Sequence, residues 1–87
     1  MLRITENRTT SDAVILLLEG QVANHWVEIA REVCALLLVH NTQLILDLTD
    51  VTFADRNGIQ FFQLLRLRQV EFRNCSPFLK EQLKQII

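Results

Sequence analysis

The chain has few of the residues that punctuate a fold or build a reaction centre: two glycines, one proline, two cysteines and one tryptophan in 87 residues. Two glycines are too few for a glycine-rich phosphate loop. Cys34 and Cys75 lie far apart and lack metal-ligand spacing. They are expected to be free, buried thiols of a reducing compartment rather than a disulfide or a metal site. His25 and His40 fall at helix ends, with no Cys, Ser or carboxylate at a spacing that suits metal binding or nucleophilic catalysis. No catalytic residue, cofactor or metal is therefore expected. The formal net charge is −1 and the lysines and arginines are scattered. Without a basic stripe (Arg66-Leu67-Arg68 is too short), nucleic acid is not an expected partner. The longest apolar runs, Ala13 to Leu18 and Cys34 to Val39, are too short to span a bilayer, and no basic N-terminal segment leads into a long apolar run. A cytoplasmic chain without membrane insertion is expected. Linkers, repeats and low-complexity segments are also missing, so residues 1–87 read as one domain.

What the chain does have is apolar content. Hydrophobic residues make up 49%, generous for a length that can bury only a limited core. Part of that surface is expected to lie on a partner. Charged residues at 22% exclude a disordered composition.

The periodicity predicts strand, strand, helix, strand, helix, strand, helix. Leu2 to Thr5 alternates like a half-exposed strand, and the polar run Glu6 to Asp12 reads as a hairpin loop. Ala13 to Leu18 is continuously apolar up to Glu19-Gly20, the pattern of a central strand covered on both faces. Ala23, Trp26, Val27, Ala30, Val33, Cys34, Leu37 and Leu38 then recur at helical spacing, with Ile29 and Leu36 at the edge of the stripe. His40-Asn41-Thr42 breaks this helix. Leu44 to Leu48 reads as a buried strand, Thr49 to Asp55 as a loop, and a second helix starts near Asn57. On its wheel, Gly58, Phe61, Phe62 and Leu65 share one face; Ile59 and Leu67 fall in the polar arc and are expected to be at least partly exposed. Val70 to Arg73 reads as a short strand. Ser76 and Pro77 suit the cap and first turn of a last helix whose apolar face is Leu79, Leu83 and Ile86. Helical crossovers imply parallel pairing, and the short first loop an antiparallel pair. The predicted fold is a small α/β domain: a mixed four-stranded sheet, its first pair antiparallel and the rest largely parallel, packed with three helices.

Four segments carry a resemblance: "LLEG" at Leu17 to Gly20, "LILDLTDVTFAD" at Leu44 to Asp55, "DRNG" at Asp55 to Gly58, and "NCSPFLKEQL" at Asn74 to Leu83. On these the chain resembles STAS domains, the family of anti-sigma factor antagonists and sulfate-transporter cytoplasmic domains. The resemblance implies a β-β-α-β-α-β-α fold and a non-enzymatic regulatory role exerted by binding another protein. The implied partner is an anti-sigma factor or switch-kinase-like ATPase. The alternative is an accessory subunit on the ATPase of a lipid-transporting ABC system. The chain departs from the family where it matters most for switching. Asn57 stands at the family's phosphorylatable Ser or Thr, and Arg56 precedes it in place of a small hydroxyl residue. The chain stops after the third helix, and the join at Arg68-Gln69 lacks the usual glycine.

Asp55 is expected to cap the second helix, and Asp47, an acid in an apolar strand, to need backbone amides in the region of Thr49 to Asn57. Gly58 is expected to let the helix start pack closely on the sheet. Trp26 is expected to pack in the core. Asp55, Arg56, Asn57, Gly58, Ile59 and Leu67 together mark the expected partner-binding face. Because Asn57 has no hydroxyl, binding there is expected to be constitutive. Two further readings stay open: a polar pocket of Asp47, Asp55 and Arg56 that holds a small molecule, and self-association into a homodimer.

Overall fold

The structure, a computed structural model, describes residues 1–8, 12–40 and 43–85. Its elements are β1 (Leu2–Arg8), β2 (Ala13–Val22), α1 (His25–Val39), β3 (Gln43–Ala54), α2 (Arg56–Leu67), β4 (Glu71–Arg73) and α3 (Pro77–Gln85). The strands form one sheet in the order β1-β2-β3-β4, with β1 antiparallel to β2 and the remaining pairs parallel. The predicted fold class and element order are found. The middle of the expected hairpin loop (residues 9–11, with the Ser11 hydroxyl), the expected helix break at residues 41–42 and the apolar position Ile86 lie outside the described residues.

Three strands run further than the apolar periodicity predicts. β1 continues through Glu6, Asn7 and Arg8, expected as loop, because its backbone pairs with Leu16, Ile15 and Val14 while polar side chains remain in water at the sheet edge. β2 does not end at Gly20 but kinks there. Gly20 has φ +107° at a register shift, a conformation that L residues rarely adopt, and pairing resumes to Val22. β3 follows it: Asp50, Val51 and Phe53, expected as loop, pair with Glu19, Gly20 and Gln21.

The sheet is covered on one face, not two. Val14, Leu16, Leu18, Leu44, Leu46 and Leu48 are buried in a single cluster with Val27, Ala30, Cys34 and Leu37 of α1, Phe61, Phe62 and Leu65 of α2, and Leu79 and Leu83 of α3. Ile15 and Leu17, which alternate with the buried residues of β2, stay half-buried. The register sets them on the reverse face with the Arg3–Glu19 ion pair (3.7 Å) and Arg73 on Glu71 (2.9 Å). Phe62 is fully buried and meets Phe72 edge-on at 5.7 Å; burial of one such ring contributes about 1.5–3 kcal/mol. Trp26 is half-buried against the cluster, as expected of a core-facing residue.

The cysteines differ from expectation in one respect. Both are free, but only Cys34 is buried, and burial pushes its thiol up to about 12. Cys75 is half-buried; burial raises its thiol, opposed by the nearby charges of Lys80 and Arg66.

The last helix begins as the sequence predicts, with Ser76 Oγ accepting from the Leu79 amide at 3.1 Å. The end of α2 explains the missing glycine. Val70 N–H donates to the Leu65 carbonyl (3.1 Å) and Gln69 N–H to that of Arg66 (3.0 Å), the paired bonds of a Schellman motif. Such a motif wants glycine at the position after the cap, and Gln69 fills it with φ +63°. Gln69→Gly is expected to raise stability by about 0.5–1 kcal/mol in urea titrations. An unchanged or lowered midpoint would contradict strain at Gln69.

Candidate functional site

The parallel strands β2 and β3 end side by side, and each feeds a helix. Helix starts at the carboxyl edge of parallel strands are where α/β sheets place their sites. One side chain organises this edge. Asp55 Oδ1 accepts the Gly58 amide at 2.8 Å, which caps α2, and Oδ2 accepts the Asn24 amide at 3.0 Å, at the N-cap of α1. Asn24 has φ +56° and no side-chain capping bond of its own. The strained entry to α1 is therefore held by the acid that caps α2. The sequence shows Asp55 as a cap; its second bond, across 31 residues, is a tertiary contact with no local signal.

Gly58 fulfils its expected role. A Cβ there would fall on the Val22 carbonyl oxygen, well inside van der Waals contact. The same carbonyl accepts the Asp55 amide at 3.3 Å. The first turn of α2 thus lies directly on the end of β2. Arg56 and Asn57 are exposed on that turn, and neither side chain has a hydrogen-bond or ion-pair partner among the described residues. A cation in the first turn of a helix opposes the macrodipole by about 0.3–1 kcal/mol, so Arg56 is not placed there for the helix's stability.

Ile59 does not belong to the exposed face. It is 1% exposed and joins the buried cluster. The wheel of α2 taken alone puts it in the polar arc. The fold brings α3 against α2, tied by Gln63 Nε2 donating to the Leu83 carbonyl at 2.7 Å, and Ile59 sits in the same buried cluster as Leu79 and Leu83. Leu67 is as expected, 81% exposed. It lies eleven residues from Arg56, about three helical turns, so the two share one outer stripe of α2 with Gln60 between them.

Asp47 is not near this edge. It lies roughly 20 Å or more back along β3. It accepts from Thr49 Oγ1 (2.6 Å), the Thr49 amide (3.0 Å) and Asn74 Nδ2 (3.2 Å). The Thr49 hydroxyl and amide, with Asn74 and the charge of Arg73, hold its carboxyl below the usual carboxylate range despite partial burial. The Thr49 amide was within its expected reach; the helix start was not. Asp47 instead anchors the turn at Asn74 (φ +58°) that leads from β4 to α3. A pocket of Asp47, Asp55 and Arg56 is therefore not formed. Grooves among the described residues lie elsewhere, beside α2: one against α3, lined by Gln60, Gln63, Leu64, Arg66, Leu67, Leu83 and Lys84, and one against α1 beneath Arg31, Phe61 and Leu64. Among the described residues, no three His, Cys, Asp or Glu side chains converge as metal ligands, and no helix is long and apolar enough to cross a membrane.

No protein-family model matches the chain, and no curated protein matches it. Solved structures do. The unphosphorylated form of the anti-sigma factor antagonist SpoIIAA superposes with a TM-score of 0.72 at 21% identity, over 94% of this chain and 82% of that one. The phosphorylated form of SpoIIAA, a Bacillus cell fate determinant, gives 0.69 at 20% identity, over 94% and 81%. A Shewanella loihica protein with a SpoIIAA-like fold gives 0.57 at 15% identity, over 77% and 56%. The chain has the STAS-like fold that its motifs resemble.

Asp55→Ala removes both bonds of the clamp and is expected to cost about 1–3 kcal/mol in denaturant unfolding, with the amide of Asn24 losing protection from hydrogen exchange. A loss confined to α2 would leave the bond to Asn24 without weight. Gly58→Ala is expected to cost about 1–3 kcal/mol through overpacking on Val22, although the same change in an exposed helix is stabilising by about 1 kcal/mol. A stabilised variant would rule out the close packing.

Proposed function

We propose that this chain is a non-enzymatic interaction module that binds a regulatory protein through the outer stripe of α2, from Arg56 and Asn57 to Leu67. One observation carries the reading. Two polar side chains without a partner among the described residues, one of them a cation that disfavours its own helix, are presented on a helix start held rigid by Asp55 and Gly58. That arrangement suits a preformed contact surface, whose ordering cost on binding is small. The STAS-like fold supports the class of function, since two of the matched structures are an anti-sigma factor antagonist, in unphosphorylated and phosphorylated form. The proposed partner is an anti-sigma factor or switch-kinase-like ATPase in the cytoplasm.

Binding is proposed to be constitutive. A phosphate on a hydroxyl at a helix start adds roughly two negative charges beside the exposed amides. Asn57 offers no oxygen for that ester, and Arg56 holds a permanent positive charge one residue away.

The test compares two surface variants, Arg56→Glu and Leu67→Arg, with the parent chain in partner capture. Both are expected to keep the far-ultraviolet circular dichroism of the parent and to weaken binding at least about tenfold. Normal binding by both would overturn the interface. Ile59 is unsuitable for this purpose, because a charge at a buried position unfolds the chain rather than reporting on its surface. Incubation with a cognate kinase is expected to leave residues 55–58 without phosphate by mass spectrometry.

A further inference from the structure

Charge divides unevenly along the chain. Residues 1–55 carry eight acids and three bases, and residues 56–87 carry two acids and six bases. The two halves thus oppose each other within a chain of net charge −1. α2 contains no acid at all. Two of the six bases of the second half, Arg66 and Lys84, line the groove between α2 and α3, of about 750 Å3. Its apolar lining is Leu64, Leu67 and Leu83. A smaller hollow of about 270 Å3 adjoins it, sharing Arg66, Leu83 and Lys84 and adding Lys80, Phe72 and Cys75. Neither Arg66 nor Lys80 has an ion-pair partner among the described residues. Lys84 reaches only Glu81, at 3.8 Å on the exposed side of α3, and no acid lines either hollow.

We infer that this groove seats an acidic amphipathic helix of a protein partner. Its apolar residues pack on Leu64, Leu67 and Leu83, and a carboxylate enters the hollow between Arg66, Lys80 and Lys84. The inference rests on the interaction-module reading and supplies the chemistry of the partner. Charge complementarity selects the occupant. A groove flanked by α2 and α3, with buried Leu83 at its floor and exposed Leu64 and Leu67 on its wall, suits the receptor side of a helix-in-groove contact. Desolvated charge pairs at the rim then set register and suppress basic partners. A second copy of this chain docking groove to groove would set like charges against each other.

The test uses fluorescence anisotropy with a labelled synthetic helix of about 14 residues. It bears leucines along one face and glutamates on both flanks, and a counterpart carries lysines in place of the glutamates. The whole chain is expected to bind the glutamate peptide, more weakly as salt is raised, and to bind the lysine peptide at least about tenfold less tightly. The double variant Arg66→Glu/Lys84→Glu, checked by circular dichroism, is expected to lose the glutamate peptide and gain the lysine one. Arg8→Glu, on the exposed edge strand β1 away from the groove, is expected to leave peptide binding unchanged. Equal binding of both peptides, no binding of either, or a charge-reversal variant that behaves like the parent would each overturn the inference. So would sedimentation with mixed phosphatidylcholine–phosphatidylserine vesicles in the absence of peptide binding, or salt-sensitive self-association by light scattering that Arg66→Glu/Lys84→Glu abolishes. If Arg56→Glu abolishes partner capture while Arg66→Glu/Lys84→Glu does not, the interaction-module reading stands and the groove occupant is wrong.

Discussion

The two oxygens of Asp55 hold together the edge where β2 and β3 pass into their helices. One caps α2 and the other pins the backbone of Asn24, whose left-handed conformation turns the chain from β2 into α1. Both helices that flank the parallel strands thus start from a single carboxylate. Gly58 makes this geometry possible, since only a residue without Cβ lets α2 lie against the Val22 carbonyl. The exposed side chains of the first turn inherit a fixed position from these buried constraints. A recognition surface gains most from such rigidity, because its binding energy is not spent on ordering.

The remainder of α2 divides its circumference between three neighbours. Phe61, Phe62 and Leu65 face the core, Gln63 reaches α3, and Leu64 and Leu67 stay open between the two grooves. In a chain this short, an exposed leucine of 81% beside a basic rim is surface set aside from the core. The domain therefore presents a charged helix start at one end of α2 and an apolar, basic groove at the other. Both lie on the helix whose first turn bears the Asn57 departure from the STAS pattern.

Much of the fold was legible in the sequence. Helical spacing in α1 and in Gly58, Phe61, Phe62 and Leu65 marked the faces that are buried, and Ser76-Pro77 marked the start of α3. The misses share a cause. Glu6 to Arg8 and Thr49 to Ala54 lack apolar alternation because they are paired through their backbones near solvent, and backbone pairing leaves no trace in side-chain pattern. Ile15 and Leu17 read as doubly covered because apolar content cannot say whether a second layer exists. Ile59 read as exposed because a wheel knows one helix and not the elements packed around it. Asp47 read as a motif acid because closeness in sequence is not closeness along an extended strand.

By itself the sequence determined the local chemistry: an acid able to cap, a glycine where two backbones meet, an amide without a hydroxyl at position 57, and a fold class set by alternating periodicities. Those properties belong to single residues or to one turn. Only the tertiary structure decided that Asp55 joins two helices, that Ile59 is core and Leu67 surface, and that Arg66 of α2 lies beside Lys80 and Lys84 of α3. Each of these depends on contacts between residues distant in the chain, and such contacts exist only once the sheet has brought its helices together.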